Sequence, residues 1–455
     1  MKALSLLFAL LLSLPLAAAT LKKERSVKAF PGYYRLISAE SGKLIECNKL
    51  SSGVFEIYQR SYLGTKAQEW EIIQVDKGYH KIINREHGFS LDLPLGNSRL
   101  GEKISVWEYI GGANQQWKFE RSKTGFYEIR NRASGNYLDL VGFSKEEKAP
   151  IQSWSRNGAK NQLWRVEKVS PKEKGVYYVD NGHIKVGLDL DCGGSISWIS
   201  ESGTDRNVVN TKDQGRFIQQ SYYSGTFLDR RDEGQSEFWS PFPWNAIQAG
   251  DYYGNKPNLM EFRVEEDVIY TKTRPMLWDM NDDNAQAYIE SWIKLEGNEI
   301  IYSGKLTRFL SHNPWGKKKI IQELPAIYLE KSLKSFFSYT GSDLWNGHLN
   351  AIPGEKVWER WVSHESWVAC VDNSLWGVGV YMPGVADFAG GHYPADGKGD
   401  DPTSYMAPII ESELDANDTF EFTCYISLGH LSKIQHNVYV RRHKLELRQL
   451  GIITE

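Results

Sequence analysis

The chain has 455 residues, more than one ordinary hydrophobic core organises, so two or three domains are expected. Lys+Arg (54) nearly balance Asp+Glu (57), a formal net charge of −3, which excludes the basic footprint of a nucleic-acid binder and a polybasic membrane patch. With 16 Trp, 24 Tyr and 40 Gly against 6 Met, the composition suits pleated sheets joined by tight turns.

The first nineteen residues read as an export signal. Lys2 supplies the positive start, Leu4 to Leu16 the apolar run, and Ala17-Ala18-Ala19 a small-residue cleavage site. That run is short for a bilayer span, and no later stretch reaches roughly 18 apolar residues. The expectation is a secreted, extracellular protein without membrane insertion.

An internal repeat follows. Gln68-Glu69-Trp70, Gln115-Gln116-Trp117 and Gln162-Leu163-Trp164 share a Gln-x-Trp pattern, with successive tryptophans 47 residues apart. Each repeat opens on an alternating strand: Tyr33 to Ile37, Tyr79 to Ile83, and Phe126 to Arg130. Phe89 to Leu93 parallels Asn136 to Leu140, and Ile104 to Trp107 parallels Ile151 to Trp154. One such unit cannot bury its apolar face alone. Three around a pseudo-threefold axis can, so residues 28–169 are expected to close into a β-trefoil.

On these motifs residues 28–169 resemble the ricin-type lectin family. The resemblance implies sugar sites in which a carboxylate and an amide read adjacent hydroxyls while a ring stacks on the sugar face. Carried over, the second repeat offers Asp92, Trp107, Asn114 and Gln115; the third offers Asp139, Trp154, Asn161 and Gln162. The ring follows the carboxylate by 15 residues in both. The first repeat departs, with Glu46 at the carboxylate position, Tyr58 or Tyr62 as rings, and Ala67 where Asn is expected. Two working sites and a degraded first one are expected.

Residues 170–175 (SPKEKG) read as a linker. Residues 176–455 lack Gln-x-Trp but continue strand-rich, and a large antiparallel β-sandwich is the economical fold, so the whole chain is expected to be all-β. Its only helix signal runs from His443 to Gln449. The Gly187 to Ile199 stretch, with its Gly193-Gly194 turn, is loosely similar to the start of galactose-mutarotase-like supersandwich domains; that family's catalytic His motif is not evident here.

Asp213, Arg216, Gln219, Tyr222 and Trp244 combine planar hydrogen-bonding groups with rings, the make-up of a sugar cleft. Catalytic candidates are Glu323, at a strand end before Pro325 where an apolar wall would raise its pKa, with His364 and His348. Asp279, Asn281, Asp283 and Glu290 fall on a calcium-loop template, but Asn284 replaces its glycine, so a solvated hairpin is expected and neither metal nor cofactor is assigned. Cys370 and Cys424 lie in strand-like runs and either pair or stay as buried thiols.

The expected function is therefore carbohydrate-active. A lectin module binds a glycan, and the second domain cleaves polysaccharide as a glycoside hydrolase or a lyase. A non-enzymatic lectin, and an adhesion or toxin-like protein docking on cell-surface glycans, remain as alternatives.

Overall fold

A computed structural model describes residue 30 and residues 32–76, 78–122, 125–169, 174–310, 313–354, 358–393 and 402–453. The expected leader and residues 170–173 of the linker lie outside the described residues. The fold is all-β: an N-terminal trefoil followed by a large antiparallel sandwich.

Trefoil closure comes from the repeat itself. The strand that begins at each Gln-x-Trp tryptophan pairs with the opening strand of the following unit: Trp70–Asp76 with Tyr79–Asn84, and Trp117–Arg121 with Tyr127–Asn131. The last, Trp164–Lys168, returns to the first, Tyr33–Ser38. All three tryptophans are fully buried, and each indole Nε1 donates to an equivalent carbonyl, Ile45, Leu91 or Leu138, at 3.0–3.1 Å. A ring buried this way contributes area and leaves no polar atom unpaired.

The second domain opens with a three-stranded sheet, Val176–Asp180, Ile184–Asp189 and Ser195–Glu201. The Gly193-Gly194 turn has φ of +66° and +74°, and a Cβ at either position would meet Gln248 O or Thr271 Cγ2 at 2.5 Å. Only glycine serves both the backbone and the space there. Two larger sheets follow. A seven-stranded sheet runs in the order Met276–Leu277, Phe242–Ile247, Gln219–Leu228, Lys319–Leu329, Thr403–Glu413, Asp387–Tyr393, Glu359–Val362. A nine-stranded sheet is centred on Glu299–Arg308 and Thr419–His430. Their facing sides hold one core, with Tyr222, Trp244, Leu324 and Phe388 meeting Ile289, Ile293, Tyr302 and Ile426.

One expectation is corrected here and one open alternative is decided. The C-terminal helix spans Leu431–Gln449, starting twelve residues earlier than the sequence signal suggested. Leu431, Ile434 and Val438 pack it on the outer face of the nine-stranded sheet, and the buried Arg441 is held by Glu299 and Glu296. Tertiary burial, rather than an amphipathic stripe, sets its length. Cys370 and Cys424 are buried free thiols. The Trp376–Tyr381 strand runs between theirs, so two inter-strand spacings, about 9.6 Å, exceed the reach of a disulfide.

The two domains meet through a polar seam. Tyr33 donates to Glu261 at 3.2 Å, Arg85 lies 3.7 Å from the same carboxylate, and the buried Arg274 reaches Glu71 at 3.5 Å. Glu69 in turn holds Arg85 at 2.5 Å.

Candidate functional site

In the trefoil, the three repeats place the same residues in different states. In the second, Asp92 accepts from Asn114 Nδ2 at 2.8 Å, with Gln115 beside it, and Trp107 stands 66% exposed. Burial pushes the Asp92 carboxyl up while the Gln115 contact opposes it. Carboxylate and amide are bonded to each other, and the exposed Trp107 lies on the paired strand opposite Ser90.

The third repeat is closed by its own chain. Asp139 accepts from Gln152 Nε2 on Oδ1 (2.8 Å) and from Asn161 and Gln162 on Oδ2 (2.7 and 2.9 Å). The Glu102–Lys103 strand of the preceding repeat pairs with the segment bearing Gln152 and Trp154, and a Cβ on Gly101 would sit 3.4 Å from the Trp154 ring. The residue matching Gln152 in the second repeat is Ser105, opposite Asp92 on the paired strand and not hydrogen-bonded to it. In the first repeat Glu46 is taken by Tyr58, Arg60 and Gln68 at 3.0–3.2 Å.

Gln115 and Gln162 are fully buried, and so is Gln68. Each braces its loop, donating to a backbone carbonyl (Glu108, Ser155, Ser61) and accepting a backbone N–H (Ile110, Asn157, Leu63) at 2.8–2.9 Å. Gln115 and Gln162 are therefore loop braces whose side chains do not reach the surface.

The second site is a cleft of about 850 Å³ on the outer face of the seven-stranded sheet. Strand alternation explains its lining. Gln219, Ser221 and Tyr223 face the cleft, whereas Tyr222 between them is in the core; Asn245 and Ile247 face it, whereas Trp244 is in the core. Tyr222 and Trp244 are thus corrected from cleft to core. Asp213, Arg216 and Gln219 do line it, with Arg216 Nε 3.2 Å from Asp213 Oδ2.

Glu323 lies at the base of this cleft, 5% exposed. Tyr223 OH is 3.5 Å from its Oε1, and Tyr405 faces the same carboxyl. Burial pushes the Glu323 pKa up to about 7, against the downward pull of the two hydroxyls. The register break between Glu323 and Ile327, around Pro325, lets Glu323, Ala326 and Tyr328 all face the cleft despite their mixed parity. Tyr223, Tyr328 and Tyr405 are held above the usual tyrosine range, by burial first and then by Glu323. Asn245 is fully buried with its Oδ1 unpartnered.

Rings form the walls. Phe238 stacks on Tyr252 at 6.2 Å, Trp239 packs against Trp278 at 5.9 Å, and Trp358 covers Tyr405 at 4.4 Å. Asp251 also borders the cleft, but its oxygens are spent on Tyr253, Asn255 and Asp282.

His364 and His348 are exposed and lie outside the cleft, on loops beside the nine-stranded sheet. His364 Nδ1 contacts Gly341 O at 2.6 Å, and the His348 backbone N–H donates to Asn346 Oδ1 at 2.9 Å. The calcium-template residues are used separately: Asp279 accepts from Gln235 and Glu290 from Tyr270, each at 2.6 Å. Among the described residues no group of three or more His, Cys, Asp or Glu is arranged around a metal position.

Sequence reasoning missed Tyr328, Tyr405 and Trp239, and within the segments it marked it chose Tyr222 and Trp244 over Tyr223 and Asn245. Counting parity from Gln219 would have selected Tyr223 over Tyr222, and the same rule selects Asn245 over Trp244.

The model of the ricin-type beta-trefoil lectin domain-like family matches residues 24–107 and 113–198. The N-terminal domain is a ricin-type β-trefoil lectin-like domain. The match runs beyond the last trefoil strand, which ends at Lys168, into the first sheet of the sandwich. Solved structures similar to the lectin-like domain include the designed threefold-symmetric protein ThreeFoil (32% identity, 30% of this chain and 99% of that chain, TM-score 0.30). Others are an exo-β-1,3-galactanase from Clostridium thermocellum (31%, 30% of each chain, TM-score 0.29) and the Macrolepiota procera ricin B-like lectin in complex with lactose (18%, 31% and 99%, TM-score 0.28). No curated protein matches the chain. Among the described residues no helix is long and apolar enough to cross a membrane.

Proposed function

We propose that this is a secreted carbohydrate-active protein whose lectin-like domain holds a glycan while the sandwich cleft cleaves polysaccharide. The observation that carries the catalytic part is Glu323: a buried carboxyl at the base of an aromatic-walled cleft, with a pKa near neutrality. Such a group is still protonated in about half of the molecules at neutral pH and can deliver that proton to a glycosidic oxygen. The rings offer apolar faces to pyranose C–H surfaces, and Asn245, Gln219 and Arg216 offer planar hydrogen bonding.

Hydrolysis is favoured over lysis. A lyase of the kind considered would use a tyrosine base, and burial beside Glu323 makes the three cleft tyrosines harder to deprotonate, not easier. Asp213 is the candidate second carboxylate, positioned by Arg216. In the lectin-like domain, sugar binding is assigned to the second repeat, through Asp92, Trp107 and Asn114.

The test is incubation with a polysaccharide panel, reading reducing ends and the absorbance of unsaturated uronates, for wild type and Glu323→Gln. Reducing ends without unsaturation, lost in Glu323→Gln with no fall in melting temperature, are expected. Product formation undiminished in that variant would refute the assignment.

One observation favours a second reading. Asp213 is ion-paired with Arg216 and Asp251 is fully used, so among the described residues the cleft holds a single uncommitted carboxyl. A cleft that binds glycan without cutting it would have this character, and a panel yielding no product would select it.

A further inference from the structure

The main cleft does not end at Glu323. A second lobe of about 430 Å³ opens on its other side and shares Tyr223, Trp239, Phe242, Glu323 and Trp358 with the first. Each lobe falls within the size range of a small-molecule site, roughly 300–1,000 Å³. Each also carries its own exposed aromatic surface. Phe238 (76% exposed) stands on the first with Tyr252, and Phe227 (52% exposed) on the second. The carboxyl of Glu323 sits where the two meet.

The second lobe is lined by Lys318 and Lys319 together with Glu323 and Glu411. Of the three consecutive lysines beside it, Lys317 pairs with Asp415 at 2.6 Å and Lys319 with Glu411 at 3.1 Å. Lys318 has a ring for its neighbour instead, its Nζ 5.9 Å from the centre of Phe227. A cation held over an aromatic platform can meet a carboxylate while the ring takes the sugar face.

We infer that the two lobes form one continuous groove that takes an internal stretch of an acidic polysaccharide, with sugars on both sides of Glu323 and an acidic sugar on the Phe227–Lys318 side. The inference rests on the proposed carbohydrate role of the cleft and adds the attack position and the charge of the substrate. Net hydrolysis inserts one water across an internal glycosidic bond: the oxygen of the departing sugar gains a proton from Glu323, the anomeric carbon gains hydroxyl, and Glu323 recovers its proton from that water.

The full-length protein is tested on polygalacturonate, alginate and hyaluronate against neutral galactan and dextran, with early products sized by chromatography. Acidic polymers are expected to shorten before single sugars accumulate, and Lys318→Ala to raise KM about fivefold with kcat kept. Single sugars from the outset, or equal use of neutral polymers with Lys318→Ala silent, would overturn this inference and leave the proposed cleavage standing. If no polymer is cut, the cleavage reading fails, and binding decides the groove. In an Asp92→Ala, Glu323→Gln background, affinity for acidic oligosaccharides should rise with their length, and Phe227→Ala should abolish the rise. Affinity independent of length would overturn the two-lobed groove.

Discussion

Asp92 and Asp139 occupy matching places in the lectin-like domain, yet replacing each with alanine should have opposite consequences. Asp139 is 2% exposed and accepts three hydrogen bonds from Gln152, Asn161 and Gln162. Asn161 and Gln162 are themselves buried, so Asp139→Ala strands amide donors; Gln162 retains Ser155 O and Asn161 a long contact to Leu140 O. Allowing for those, the cost is about 3 kcal/mol. For a domain of this size that lowers the melting temperature by roughly 6–12 °C. Asp92 holds one hydrogen bond to Asn114, which keeps Leu93 O, and a contact with Gln115, which keeps Glu108 O. Asp92→Ala should therefore cost only about 1 kcal/mol. Binding should follow the reverse order. Losing a carboxylate that reads sugar hydroxyls weakens affinity by about 1.5–3 kcal/mol, roughly tenfold or more, in Asp92→Ala, and leaves Asp139→Ala near wild type. The assay is a glycan array paired with calorimetry. Equal binding loss in both variants, or a binding loss in Asp139→Ala alone, would refute the self-capped third site.

Other outcomes follow from the same geometry. Gln152→Ser, which copies Ser105 of the second repeat, should release one oxygen of Asp139 and add a second weak sugar site, seen as higher avidity on a dense glycan surface. Glu323 has a folded pKa of about 7 against an ordinary 4.5. Because the folded value is raised, wild type loses stability as pH climbs from about 4.5 to about 7, by about 3 kcal/mol in all. Denaturant titrations across this range should show Glu323→Gln gaining on wild type as pH rises, then a constant gap above it. Trp164→Ala should cost about 3–5 kcal/mol and melt the lectin-like domain first, since its strand closes the barrel onto Tyr33–Ser38. The four buried thiols should resist a thiol reagent until unfolding, and a reductant should leave the melting temperature unchanged.

Much of this protein was legible from residues alone, and what was not has identifiable causes. The trefoil followed from three tryptophans at equal spacing, because a repeated unit with one apolar face has few ways to bury it. The candidate carboxylates, rings and amides of the second and third repeats came from the resemblance to ricin-type lectins, laid onto that repeat alignment. What the alignment could not say is which repeat is open. Gln152 and Ser105 hold matching positions, and only the packed loops show that one bonds its neighbouring aspartate and the other does not. In the sandwich, composition marked the cleft segment, but facing was decided by strand parity and, around Pro325, by a break in that parity. Glu323 was readable as a carboxyl before a proline; its burial needed Tyr223 and Tyr405 from strands distant in sequence. His348 and His364 looked equally chemical in the chain and stand exposed, away from that cleft. Residue type and spacing determined the repeat, the all-β class and the pool of candidate groups, since these depend on local pattern. Exposure, convergence and proton affinity belong to the tertiary structure, since each depends on what other strands bring alongside.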